Sequence, residues 1–411
     1  MSGTGRTEPL VIRVSGGPRE RGRRYGVAAR ERIGLSLENY ARVYERFAEL
    51  RWDAATELAE TFVPAVSRFD AGLLEEMEGI ALGAGVAFED ILALNLRTEI
   101  LFSGKARRIA AEAAKAAGSG AGAGSGSGAG AGSGSGSGSA SGRGAPGECT
   151  AFCDLRGPEP VVGQNWDWIP FSHGTVVVLE AAPDRGPRWV SVVEAGLLAK
   201  FGMNAAGVTV LTNALVTSVD RGAPGMPYHL LLRALLAAES PGAAEEVLRT
   251  VTRSSSANYL IVGGGRGVDI EARPGGAGDL SRRAVGPGEF LVHANHFTAG
   301  EGDFASSGAD HGPRVMPDTL FRQGRATELA ELMPQPSVAG WHEVLSDHVN
   351  YPDAVCCHPD PREHELEQGS TVASAVIEPE RRLMHLVLGH PCAEPRVTHD
   401  YGDFFSGLPG A

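Results

Sequence analysis

The sequence predicts an α+β protein with mainly antiparallel sheets. Three observations carry that expectation: a helical hydrophobic period before residue 118, an alternating period after residue 148, and a Gly/Ala/Ser tract between them. Apolar residues make up 42% of the 411-residue chain and charged residues 21%, enough apolar material to bury a sizeable core.

Taken in order, Pro9 to Val14 reads as a short strand. Arg19 to Arg51 reads as one amphipathic helix with Tyr25, Ile33, Leu37, Tyr40, Val43 and Phe47 at helical steps. Helical stripes follow at Ala54–Phe69, Leu73–Leu82 and Phe88–Thr98. The organisation expected is a mostly helical segment over 1–117, a linker and junction over 118–148, and a β-rich segment over 149–411. From Gly118 to Gly144 the tract is too poor in large side chains to offset its ordering entropy, so a flexible linker is expected.

Beyond the linker, alternation predicts strands at Thr150–Leu155, Pro160–Asn165, Gly174–Leu179, Trp189–Glu194 and Val208–Asn213. Helices are expected at Pro227–Ala238 and Ala243–Thr252, then strands at Asn258–Gly263, Val268–Ala272 and Phe290–Ala294. Helices return at Pro317–Leu332 and Gly340–Asp347, and a hairpin around Glu378–Arg381 joins Thr371–Ile377 to Arg382–Leu388. The run Gly263-Gly264-Gly265-Arg266-Gly267 lies between two strands and precedes no helix, so it reads as a hairpin and not a phosphate cradle.

The formal charge of −13 argues against nucleic acid or an anionic membrane as partner and favours a small molecule. Five cysteines, Cys149, Cys153, Cys356, Cys357 and Cys392, are an odd number with two adjacent, a poor basis for a disulfide framework. With no signal-peptide core and no long apolar run, the expected location is the cytoplasm.

Chemistry concentrates where the linker ends. Cys149 follows Pro146-Gly147-Glu148 and opens the first strand of the β-rich part. A thiol there is placed to attack the preceding carbonyl; hydrolysis of the resulting thioester would leave Cys149 as a new N-terminus, its α-amine serving as base. Asp167 lies between Trp166 and Trp168 and, on an alternating strand, shares no face with them, which makes it a candidate for a partly dry carboxylate. Asn213 and Asn295 end strands, where Asn commonly makes turns. His293 and His296 flank Asn295, but no zinc-ligand spacing accompanies them, and Cys356-Cys357 reads as packing.

These residues carry a resemblance. The runs Cys149-Thr150-Ala151-Phe152-Cys153, Gly163-Gln164-Asn165-Trp166-Asp167-Trp168, Gly202-Met203-Asn204-Ala205-Ala206-Gly207 and Leu211-Thr212-Asn213 stand in order. So do His293-Ala294-Asn295-His296, Asp318-Thr319-Leu320-Phe321-Arg322 with Arg325, Asp347-His348 and Gly389-His390-Pro391-Cys392, with a weaker match at Gly22 and Gly26. Together they resemble the C45 group of autoproteolytic N-terminal-nucleophile (Ntn) hydrolases, the acyl-coenzyme A:6-aminopenicillanic acid acyltransferase type. Related Ntn acylases of the bile-salt type carry an Arg shortly after the nucleophile; Gly163-Gln164-Asn165 stands here instead.

The resemblance implies an αββα four-layer sandwich and cleavage between Glu148 and Cys149, giving an α and a β chain that stay associated. It implies Cys149 as nucleophile, Asp167 as partner of the new amine or thiol, Asn295 as oxyanion donor and Arg322 as a cation near the thiol. Asn213 and Trp168 are expected in the substrate pocket, and no metal or cofactor is required. Glu148 stands where the family often has Gly. The expected reaction is hydrolysis of a linear amide of an N-acyl small molecule through a Cys149 acyl-enzyme. Acyl transfer from acyl-CoA is the alternative, and a non-catalytic binding protein on the same scaffold is the alternative of another class.

Overall fold

In the computed structural model, residues 9–101 and 149–407 are described, with isolated helical positions 104, 107, 111 and 114 between them. The linker and Glu148 lie outside the described residues. Two sheets form the centre. The larger runs β1 (Val11–Gly16), β4 (Val176–Pro183), β5 (Trp189–Glu194), β6 (Phe201–Asn204), β7 (Thr209–Ala214), β8 (Ala257–Gly263), β9 (Arg266–Ala272), β10 (Leu280–Val285). The smaller runs β11 (Phe290–His293), β2 (Cys149–Asp154), β3 (Val161–Trp168), β12 (Ser370–Glu378), β13 (Leu383–Leu388), β14 (Val397–Asp400). All named pairings are antiparallel except β1 with β4, so the antiparallel α+β expectation holds.

The sheets pack face to face. Asn213 of β7 reaches the Cys149 and His293 carbonyls, Gln164 of β3 accepts from the Thr212 backbone N–H, and a Cβ at Gly267 of β9 would lie 2.9 Å from the Cys153 sulfur. Alternation then sends Phe152, Asp154 and Asn165 to the outer face of the small sheet. There Phe152 stacks on Trp341, the Trp341 indole donates to Asp154, and the Asn165 amide donates to the Leu345 carbonyl, all on the helix Val338–Leu345. Outside the large sheet, Arg233 of the helix Tyr228–Leu236 lies over Trp189, and Asn204 donates to the carbonyls of Leu236 and Ala238. The layers are therefore helix, sheet, sheet, helix.

The residues before the linker belong to the same body. Their strand β1 pairs with β4, and Tyr25 of the helix Pro18–Ala28 donates its hydroxyl to the Leu197 carbonyl. That helix crosses Val63–Ala84 at glycines: a Cβ at Gly22 would sit 2.0 Å from the Glu76 carbonyl oxygen, and one at Gly79 2.2 Å from that of Arg19. Only glycine permits backbones so close.

Several boundaries differ from the sequence expectation. The single helix over Arg19–Arg51 is two, Pro18–Ala28 and Arg30–Ala48, broken at Ala29. The break lets the glycine stripe face the crossing while Ile33, Tyr40 and Phe47 enter the core. Ala54–Phe69 also divides, into Trp52–Glu60 and Val63–Ala84, because Pro64 is tolerated only in the first turn of a helix. The short strands β6, β10 and β14 were not expected; β10 presents Arg282 and Arg283 to solvent on the sheet edge, which removes the apolar alternation that marks a strand. The glycine run is a hairpin, Gly263 facing Arg266 with Gly264 and Gly265 at positive φ. Among the described residues, no helix is long and apolar enough to cross a membrane.

Candidate active site

Cys149 is the first residue of β2 and is 2% exposed. Its N–H donates to Asn295 Oδ1 at 2.7 Å. Its carbonyl accepts from Asn213 Nδ2 at 3.1 Å and Arg322 Nη1 at 2.9 Å. Arg322, in the first turn of the helix Thr319–Leu332, also donates to Thr150 Oγ1 at 3.0 Å and Asn295 Oδ1 at 3.0 Å, and its Nε is fixed by Asp318 at 2.5 Å. The ends of β7 and β11 and one helix start thus converge on one backbone unit. That is how residues 146 and 173 positions away from Cys149 come to hold it.

Asn295 presents its oxygen, not its amide hydrogens, to Cys149; the amide donates to the Ala214 carbonyl at 2.9 Å. In the uncleaved chain its geometry is that of an acceptor for the Cys149 nitrogen, which differs from the oxyanion donor implied by the resemblance. Asp167 points, as alternation requires, to the opposite face of β3 from Trp166 and Trp168. Its Oδ1 accepts from Thr371 Oγ1 at 2.6 Å, and its buried Oδ2 has no hydrogen-bond partner. Burial pushes this carboxyl up to about 7, opposed by Arg322 and the Thr371 hydroxyl.

The Cys149 thiol borders a small pocket whose walls include Arg97, Thr98, Trp166, Trp168, Lys200 and Tyr228. Burial raises the thiol pKa; Lys200, the Asp167 backbone hydrogen bond and Arg322 pull it back down, and the Asp167 charge works against them. Lys200 was not singled out in the sequence, although a lysine inside the apolar run Leu197–Met203 is a signal of burial. Its ammonium donates to Tyr228 Oη at 3.3 Å and lies 5.6 Å from the Trp166 ring centre. Burial lowers its pKa to about 8.

Arg97, also missed, forms the far wall. Its guanidinium pairs with Glu194 and the Tyr40 hydroxyl and stacks 4.6 Å from the Trp168 ring centre, while the Trp168 indole donates to Tyr40 Oη at 2.8 Å. Glu99 accepts from the Tyr228 N–H at 2.7 Å and the Ser255 hydroxyl at 2.9 Å, and burial pushes it up to about 7. The segment before the linker therefore builds part of the pocket. Beside the site, His293 bridges Glu271 Oε1 and the Ala294 carbonyl, each at 2.8 Å. Against the cost of burial, Asp269 and Glu271 push it up to about 9, so it is a charged partner in an ion pair. His296 is held down at about 4 by burial and the neighbouring His293 and Arg322 charges.

A family model described as acyl-coenzyme A:6-aminopenicillanic acid acyl-transferase matches residues 155–393. The 40 kDa form of acyl-coenzyme A:6-aminopenicillanic-acid-acyltransferase from Emericella nidulans is 25% identical over 389 residues, spanning 93% of each chain. Among solved structures, the Caenorhabditis elegans ortholog of N-acylethanolamine-hydrolyzing acid amidase is 16% identical with a TM-score of 0.39, covering 56% of this chain and 93% of that one. A conjugated bile acid hydrolase from Clostridium perfringens is 12% identical with a TM-score of 0.40, covering 62% of this chain and 97% of that one.

Proposed function

Because the chain belongs to the acyl-coenzyme A:6-aminopenicillanic acid acyl-transferase family, we propose that it is an autoproteolytic Ntn enzyme that cleaves a linear amide of an N-acyl small molecule through Cys149. The observation that carries the proposal is the convergence of Asn213, Asn295 and Arg322 on the backbone of a cysteine that opens a central strand. In maturation, the Cys149 sulfur attacks the Glu148 carbonyl carbon and the C–N bond breaks, its nitrogen taking a proton. Water then hydrolyses the thioester to a Glu148 carboxylate, the Cys149 thiol and its α-amine. Asn295 Oδ1 holds that nitrogen throughout, and the Asp167 carboxyl, poised near neutrality, sets the charge beside it. The α chain, residues 1–148, stays bound because β1, Tyr40 and Arg97 are built into the sheet and pocket. The five free cysteines suit a reducing, cytoplasmic setting.

In turnover the thiolate attacks the acyl carbon of the substrate, the amine leaves with a proton, and water or an acceptor amine takes the acyl group. Trp168 and Asn213 bound the substrate and backbone sides of the nucleophile. Hydrolysis is preferred. The basic cluster Arg19–Arg24, which a polyanionic acyl-CoA could otherwise use, is taken up by Glu20, Glu76 and Glu78 on the outer helices. The second reading, transfer from acyl-CoA, is favoured by the family match and the Emericella relative.

The intact mass of the purified protein tests the common core. Wild type should appear as chains of about 148 and 263 residues, the larger beginning at Cys149, while Cys149→Ala stays a single chain. Wild type that remains whole after prolonged incubation would remove the mechanism. Cleaved enzyme given acyl amides and acyl-CoAs, with and without an amine acceptor, separates the two readings by whether free acid or acyl amide forms faster.

A further inference from the structure

On the outer side of the small sheet, four side chains from three separate stretches converge. His348 lies just after the helix Val338–Leu345, Cys356 and His358 in the loop that follows, and Cys392 in the turn after β13. One ligand atom from each lies within 4.8 Å of all the others. The His348 and His358 Nε2 atoms are 3.1 Å apart, the Cys356 and Cys392 sulfurs 3.7 Å apart, and His358 Nε2 is 3.4 Å from the first sulfur and 3.5 Å from the second. A zinc ion with bonds of about 2.3 Å to sulfur and 2.05 Å to nitrogen in a tetrahedron requires ligand separations of about 3.8 Å (S to S), 3.6 Å (S to N) and 3.3 Å (N to N). The measured distances follow that order and approach those values.

We propose that His348, Cys356, His358 and Cys392 form a tetrahedral zinc site. Two thiolates and two imidazoles are the donor set that suits zinc among divalent ions, and four protein ligands leave no open position, so the ion is structural and not catalytic. The surroundings orient the ligands. His390 stacks on His358 with ring centres 4.0 Å apart and planes at 6°, and its own Nε2 is fixed by the Ser370 hydroxyl at 3.0 Å. The ion ties a loop that already touches the catalytic strands. Cys357 donates its N–H to Thr371 Oγ1 at 2.9 Å, and the same hydroxyl donates to Asp167; the Val355 carbonyl accepts from Asn165 at 2.8 Å. No recognised zinc spacing exists in the sequence, because the ligands are separated by 7, 1 and 33 residues and meet only through the fold.

The test measures metal in the full-length protein, purified without a histidine tag and passed through chelator-treated buffer. One equivalent of zinc per chain is expected. Exchange for cobalt should give the intense visible bands of a tetrahedral site and a thiolate-to-cobalt charge-transfer band. Cys392→Ser, a change at an exposed position, should bring the zinc near zero and abolish the charge-transfer band, whereas Cys149→Ala should keep both. Wild type without bound zinc after incubation with excess zinc chloride, a Cys356–Cys392 disulfide under reducing purification, or zinc content unchanged by Cys392→Ser would each overturn the site. The cobalt spectrum of wild type decides the matter even if the variant folds poorly.

Discussion

Two of the buried charge clusters among the described residues differ in how their charges are partnered. On the outer face of the large sheet, Glu76 receives Arg21 at 2.8 Å and Arg233 at 3.1 Å, all three side chains at most 7% exposed. Each charge there has an opposite charge in contact. In the Cys149 pocket, the Lys200 ammonium donates to the Tyr228 hydroxyl, the buried Asp167 Oδ2 has no hydrogen-bond partner among the described residues, and burial raises the thiol pKa. In the pocket, burial moves the Asp167 carboxyl up to about 7 and the Lys200 ammonium down to about 8, toward the pH at which protons move. The first holds helices together; the second is suited to chemistry.

Substitution should therefore move different observables in the two places. Glu76→Ala leaves two buried guanidiniums facing each other and should cost about 3–5 kcal/mol of stability. Denaturant unfolding should show that loss, with kcat of the remaining folded, cleaved enzyme unchanged. A fall in kcat without loss of stability would erase the distinction.

Lys200→Met is the converse. Removing an ammonium whose charge is disfavoured by burial should leave stability equal or higher. With the cation beside the thiol gone, kcat/KM should fall by about 10²–10³, the scale seen when one electrostatic stabiliser is removed from an active site. Unchanged turnover, or a protein less stable than wild type, would place Lys200 with the structural charges.

The same contrast explains what could be read from the sequence. Cys149 was legible because a single local feature, a strand that opens at the end of a Gly/Ala/Ser tract, marks it. Asp167 was legible because alternation on a strand separates it from its flanking tryptophans. Asn213 and Arg322 were singled out only through resemblance, since the strands and helix that bring them to the Cys149 carbonyl meet only in space. Lys200 and Arg97 escaped because a lone basic residue in an apolar run carries no spacing, and the cage of Tyr40, Trp166 and Trp168 around Arg97 is assembled across the linker. The Ala29 break was invisible for the same reason. It follows a glycine crossing with a helix some 50 residues away, an order of separation that no local period reports.

The smallest expected effect lies at the Thr371 hydroxyl, which joins the Asp167 carboxyl to the loop behind it. Asp167 is raised from an ordinary 3.8 to about 7, so the folded state keeps a proton that the unfolded state has lost between those values. Stability from this group is full below about pH 4 and declines as pH rises to about 7. Thr371 donates to the carboxylate and favours its charged form, so Thr371→Val should lift the folded pKa further and extend the decline above pH 7. The substitution also removes the acceptor for the Cys357 N–H, a cost without direct dependence on the Asp167 charge. A double-mutant cycle with Asp167→Asn cancels that cost. Measured by denaturant unfolding, the Thr371–Asp167 coupling should be about 1 kcal/mol larger at pH 8 than at pH 4.5, the margin between a hydrogen bond to a charged group and one to a neutral group. Thr371→Ser, which keeps the hydroxyl, should behave as wild type. A coupling equal at the two pH values would mean that Asp167 does not change charge in this range, and the pocket would lose the unmatched carboxyl that sets it apart from the Glu76 triad.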